Sequence, residues 1–198
     1  MKKSLQPRKT PRQSRSLRTN QEILEATARL LNRHPLDEVS TNHIARKTGI
    51  SIGTLYKYYP NKDSILAALS LQYMQRDAAL FEEIFEEHAG RSQDALLDAL
   101  VDTLMQIHRE DVRVRGVIYQ NLERLKLVTQ ARNATRQIHA KGVATTPRLD
   151  PALTWVAISA INAVIHSLSQ LPRQHQDWAF AQQLCRQILS HLLQTTRQ

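Results

Sequence analysis

The sequence predicts an all-α protein, on three observations. Apolar residues recur at three- and four-residue spacing through most of the chain, no stretch alternates with a period of two, and capping residues stand where the periodic runs begin. The 198 residues, 41% of them hydrophobic, are enough for a real core. Three parts are expected: a basic disordered arm over residues 1–18, a three-helix head over 19–66 and a helical body over 67–198. Charge follows the same division. Residues 1–62 hold 13 Lys and Arg against 4 Asp and Glu, whereas residues 63–198 hold 14 of each. A basic head on a neutral body implies a polyanion bound at one end.

The arm contains Lys2, Lys3, Arg8, Lys9, Arg12, Arg15 and Arg18, two prolines and no acid. Such composition predicts disorder in the free protein. A first helix follows from about Asn20 to Asn32, with Ile23, Leu24, Thr27, Leu30 and Leu31 on one face, and His34-Pro35 ends it. His34 and His43 read as surface residues. Ser40 then caps a short helix from Thr41 to Thr48 with Ile44 and Ala45 inward, and Gly49 supplies the left-handed residue at its end. Ser51 caps a second short helix from Ile52 to about Tyr58. Leu55 points inward there, while Thr54, Tyr56, Lys57 and Tyr58 face outward or sideways, and Tyr59 belongs to the core. This is a helix-turn-helix with a polar, aromatic and basic outer face.

Asn61 caps a long fourth helix that continues to Gly90, roughly 40 Å at the standard rise. A fifth runs from Ser92 or Asp94 to about Arg109. A break near Glu110–Arg115, a short helix through Ile118 and a longer one from about Leu122 to Lys141 are expected next, with Gly142 as the stop. Asp150-Pro151 marks another start. From Pro151 to Pro172 no residue is charged, yet seven are polar, which suits a helix buried on every side better than one in lipid. Ala157, Ala160 and Ala163 permit close helix approach, and a last helix spans about Asp177 to Leu193. These two helices look like half of a four-helix dimer interface.

The stretch from Glu22 to Leu69 resembles the N-terminal domain of the TetR family of bacterial transcriptional regulators. The resemblance is carried by Ile23, Leu24, Ala28, Leu30, Val39, Ser40-Thr41, Ile44-Ala45, Gly49-Ile50-Ser51, Gly53-Thr54-Leu55-Tyr56, Tyr58, Lys62 and Leu66. It implies a dimer on a palindromic double-stranded DNA operator, most often as a repressor, and a C-terminal domain that dimerises and binds a small-molecule effector. Thr41, Asn42, Tyr56, Tyr58 and Lys62 are then the candidate phosphate contacts, and Ser51, Ile52, Gly53, Thr54 and Lys57 the candidate base readers. Arg8, Lys9, Arg12, Arg15 and Arg18 are either part of a solvated tail or of an arm that enters the minor groove. Met105, His108, Tyr119, Trp155, Asn162 and His166, adaptable or polar residues on apolar helical stretches, are the candidate effector pocket.

The single cysteine, Cys185, excludes an internal disulfide and suits a reducing cytoplasm. No metal or cofactor motif is present, and no nucleophile elbow or phosphate-binding glycine loop, so enzymatic activity is not expected. The competing expectation is a DNA-organising or partner-recruiting protein with the same head and no effector.

Overall fold

The computed structural model describes residues 14–145, 159–161, 163–168 and 171–195. In chain order the helices are α1 (Ser14–Leu31), α2 (Thr41–Thr48), α3 (Ile52–Tyr58), α4 (Lys62–Glu87), α5 (Gln93–Glu110), α6 (Val112–Asn121), α7 (Val128–Thr145), α8 (residues 159–161 and 163–168) and α9 (Trp178–Thr195). A short 3-10 turn, Arg173–His175, precedes α9. The described residues contain no strand.

Capping explains most of the boundaries. Ser40 Oγ accepts from the His43 amide at 3.1 Å, Ser51 Oγ from Thr54 at 3.1 Å and Ser92 Oγ from Ala95 at 3.2 Å. Asn61 accepts from the Ser64 amide at 2.9 Å while its own amide donates to Ser64 Oγ at 3.3 Å, a reciprocal cap on α4. Asp177 closes α9 through the Phe180 amide at 2.9 Å. Each cap satisfies an N–H that the helix cannot pair internally, an effect of about 1 kcal/mol apiece.

Several boundaries differ from the sequence expectation, among them that of α6, which spans Val112–Asn121 where a break over Glu110–Arg115 and a helix ending near Ile118 were expected. Helix α1 begins at Ser14 rather than near Asn20, so Arg15 and Arg18 of the expected disordered arm are helical. Its first turns are held by exposed i,i+4 pairs, Arg18–Glu22 at 2.9 Å and Gln21–Glu25 at 3.1 Å. Residues 122–126 form a turn, not the start of a long helix, and α7 opens only at Val128 and runs past Gly142. Lys126 sits at φ +57°, a left-handed conformation unusual for a residue with a side chain, which reverses the chain there.

The chain divides into two compact units. The first comprises the described residues up to Met74 together with Arg113–Gln130; the second comprises Gln75–Val112 and the described residues from Ala131 onward. The sequence placed 113–130 with the C-terminal body, but Val114, Ile118, Leu125 and Leu127 are buried in the same core as Ile23, Ile44, Leu55 and Leu66. That core fixes the head. Helix α3 has seven residues, too few to persist alone, and its one fully buried side chain, Leu55, ties it down with roughly 2 kcal/mol of transfer free energy.

The second unit has one core of Val101, Met105, Ile161, Ile165, Ala181 and Cys185, drawn from α5, α8 and α9, and another around Ile84, Phe85 and Leu96. Arg186 of α9 pairs with Asp98 at 2.9 Å and Asp102 at 2.7 Å of α5. All three side chains are substantially exposed, so the pairs set register more than they stabilise. Burial pushes the Cys185 thiol up to about 11, which leaves it an inert apolar filler.

Candidate nucleic-acid interface

Gly49 makes the turn between α2 and α3. It has φ +75°, and a Cβ placed there would meet nothing within 4 Å, so the requirement is for backbone conformation rather than for space. The amides of Gly49 and Ile50 return to the carbonyls of Arg46 and Ala45 at 3.2 and 3.1 Å, which ends α2 and starts the chain toward α3. The first turn of α2 carries no acid, leaving its N-terminal N–H groups and dipole attractive to an anion.

All ten residues expected at the interface lie in the first unit, on α2, on α3 and its N-cap Ser51, and at the first residue of α4. Thr41 Oγ1 and Tyr56 Oη are 3.2 Å apart, so the start of α2 and the middle of α3 share a hydroxyl pair. Tyr56 is 41% exposed, and Asn42, Gly53 and Lys57 are exposed as well. Ser51 Oγ is engaged twice, by the Thr54 amide and by Thr54 Oγ1 at 2.8 Å, so its first role is to cap α3. Ile52 and Tyr58 are half-buried and pack against the core, which makes them supports of the surface as much as part of it. Lys62 Nζ donates to the Leu36 carbonyl at 2.7 Å, tying the α1–α2 loop to the start of α4 and leaving two ammonium protons for another acceptor.

Tyr59 closes the platform from inside. It is 1% exposed, its hydroxyl donates to Asn20 Oδ1 at 2.6 Å, and burial pushes the phenol up to about 12. Asn20, at the middle of α1, was not singled out in the sequence; a polar residue one turn before an apolar face carries no signal of a partner 39 positions away. His34 and His43 sit with ring centroids 5.4 Å apart, and His34 Nδ1 is 3.6 Å from Glu38.

The remaining candidates separate. Arg15 and Arg18 are exposed on α1, and Arg8, Lys9 and Arg12 lie outside the described residues. In the second unit Met105 is 3% exposed within the core, and His108 is 4% exposed with Nδ1 2.9 Å from the Leu104 carbonyl. His166 is half-buried on α8. Tyr119 does not join them: it belongs to the first unit and is 39% exposed, because α6 packs its Val114 and Ile118 face inward and turns Tyr119 out. Trp155 and Asn162 lie outside the described residues. An open depression of about 490 Å³ in the second unit is lined by Arg109 and residues 174–179, none of which the sequence had suggested. Among the described residues no three His, Cys, Asp or Glu are grouped to hold a metal ion, and no helix is long and apolar enough to cross a membrane.

Residues 23–69, from the buried face of α1 to the first two turns of α4, match the family of bacterial regulatory proteins, tetR family. That matched segment belongs to the TetR family. A helix-turn-helix transcriptional regulator of Mycobacterium bovis is 26% identical over 126 residues, 64% of this chain and 63% of its own length, so the chain spans less than two thirds of that relative. The family's fold extends over nearly the whole chain in solved structures. A TetR-family transcriptional regulator from Mesorhizobium loti superposes with a TM-score of 0.75 at 18% identity, covering 92% of this chain and 98% of its own. FadR, a TetR-family repressor from Thermus thermophilus solved with lauroyl-CoA, does so with a TM-score of 0.61 at 19% identity, covering 88% and 93%.

Proposed function

We propose that this TetR-family protein is a sequence-specific DNA-binding regulator that acts as a homodimer, represses from a palindromic operator and is released by a small molecule held in its second unit. The observation that carries the proposal is the exposed face of α2 and α3, with Asn42, Gly53, Tyr56 and Lys57 outward on a rigid core, in the part of the chain that holds the whole positive excess. Thr41, Asn42, Tyr56, Tyr58 and Lys62 hold phosphates, and Ser51, Ile52, Gly53, Thr54 and Lys57 meet base edges in the major groove. Lys57 donates to guanine, and the Thr54 and Ile52 methyl groups meet thymine. The basic residues before α1 add phosphate or minor-groove contacts and steepen the salt dependence.

A second copy docks on α8 and α9. Phe180, 61% exposed on α9, and Leu171, 46% exposed, leave apolar surface that a partner would cover. Two recognition helices then stand roughly 34 Å apart, one turn of the duplex. Effector and operator oppose each other by one coupling free energy. Its pocket draws on the stretch around Met105, His108 and His166, and lauroyl-CoA in the Thermus thermophilus repressor is an example of what this fold accommodates.

Selection from a random duplex pool at near-physiological salt, followed by sequencing of the bound fraction, tests the proposal. A palindromic consensus with half-sites about one helical turn apart is expected. Binding without a consensus, collapsing as salt rises, would leave a head that holds DNA without reading it, the DNA-organising alternative.

A further inference from the structure

The first unit places a cation from outside the helix-turn-helix against the start of α4. Leu125 and Leu127 are buried in the head's core at 1% and 5% exposure, and pin the turn that follows α6 onto it. Glu123, Arg124 and Lys126 therefore face outward from that turn. The Arg124 guanidinium is held by two bonds, Nε to Asn121 Oδ1 at 2.8 Å and Nη1 to Asp63 Oδ1 at 2.6 Å.

Asp63 is the residue after Lys62 and stands in the first turn of α4, where a carboxylate suits the helix dipole. The same carboxylate is badly placed for a duplex. A negative charge one residue from a lysine that is to hold a phosphate repels that phosphate, over a distance at which surface charges are only partly screened. With Arg124 paired to it, the end of α4 presents Lys62 against a neutralised carboxylate instead of an opposed pair of charges. The Asp63 side chain is 14% exposed and Arg124 46%, so the carboxylate is largely covered while the guanidinium still meets solvent.

We propose that Arg124 is a positioning residue of the DNA interface, which neutralises Asp63 so that Lys62 and the first turn of α4 can accept a phosphate. It rests on the reading of the head as a DNA-binding domain. The interface then includes a residue 62 positions beyond Lys62, on a turn that is no part of the helix-turn-helix, and the helix keeps the acid that stabilises its start without repelling the ligand.

The test uses the full-length protein and a fluorescein-labelled 30-base-pair duplex of arbitrary sequence, since phosphate contacts do not require the operator, with anisotropy read from about 50 to 300 mM salt. Arg124→Gln should bind on the order of three- to tenfold more weakly at the low end, as for one uncompensated charge several ångströms from a phosphate, and the loss should shrink as salt rises. Arg124→Gln with Asp63→Asn should return to within about twofold of wild type, and urea midpoints of the variants, expected to stay close to wild type, separate an effect on binding from one on folding. Asp63→Asn alone should bind at least as tightly as wild type, and it remains informative if Arg124→Gln fails to fold. Unchanged affinity in Arg124→Gln, a double variant as weak as the single, or weaker binding by Asp63→Asn would overturn the proposal with the DNA-binding reading intact. Wild-type protein that binds no duplex would remove both.

Discussion

Gly53 offers a way to separate folding from recognition, through Gly53→Ala. The residue lies at the second position of α3, exposed, with an ordinary helical backbone, and the nearest atom to an added Cβ would be Ser51 Oγ at 3.9 Å, ordinary van der Waals contact. Nothing inside the protein therefore asks for glycine. In a helix, alanine is favoured over glycine by up to about 1 kcal/mol, and near a helix end by less, so the variant should gain roughly 0.5 kcal/mol, or about 1–2 °C in Tm for a chain of this size. If the α3 backbone approaches the floor of the major groove, the new methyl has nowhere to go. Steric intrusion of that kind costs about 1–3 kcal/mol per site, so two half-sites should weaken operator binding by at least tenfold. Urea denaturation gives the first quantity, and anisotropy titration on the selected operator at about 0.1 M salt gives the second. A variant that is destabilised, or one that binds the operator as wild type does, would refute the idea that this glycine serves the duplex.

Gly49→Ala should behave in the opposite way, destabilising by about 1 kcal/mol with no clash, because its φ of +75° penalises any Cβ; a neutral effect in thermal unfolding would contradict the left-handed turn. Tyr59 makes stability pH-dependent. Its folded pKa near 12 exceeds the ordinary value of 10, so its contribution is complete below pH 10, declines between pH 10 and 12, and amounts to on the order of 2 kcal/mol; Tyr59→Phe should remove that segment from a pH series of urea midpoints. Lys57→Ala should shift base preference in a second round of duplex selection, whereas Lys62→Ala should weaken binding to every sequence alike and lower the salt slope by about one per subunit. Identical behaviour of the two variants would end the division between readers and positioners.

The head was legible because its signals are local. Ser40, Gly49, Ser51 and Asn61 each act within four residues, and each forms in the structure the bond its position announces. The turn at 122–126 was not legible, since Leu122 and Leu125 keep helical spacing and the reversal rests on Lys126, a residue type that does not advertise a positive φ. The return of Val114, Ile118, Leu125 and Leu127 to the head's core is a long-range fact, as are the pairs Tyr59–Asn20 and Arg124–Asp63. Among the pocket candidates, Met105 and His108 stood out as adaptable or polar residues on an apolar stretch, which does not tell whether they line a space or fill one, and here both are buried. Tyr119 shows the opposite failure, an aromatic on an apolar stretch that the fold turns outward.

The contact between Thr41 and Tyr56 has a thermodynamic consequence of its own. An exposed tyrosine normally samples several rotamers, and freezing a flexible side chain at an interface costs about 0.5–1.5 kcal/mol. Here the phenol is tethered at 3.2 Å to a hydroxyl on the neighbouring helix before any polyanion arrives. Much of that ordering occurs when the head folds and not on encounter. Part of the affinity would then reside in entropy the free protein has already given up, invisible in a list of contacts made in the complex.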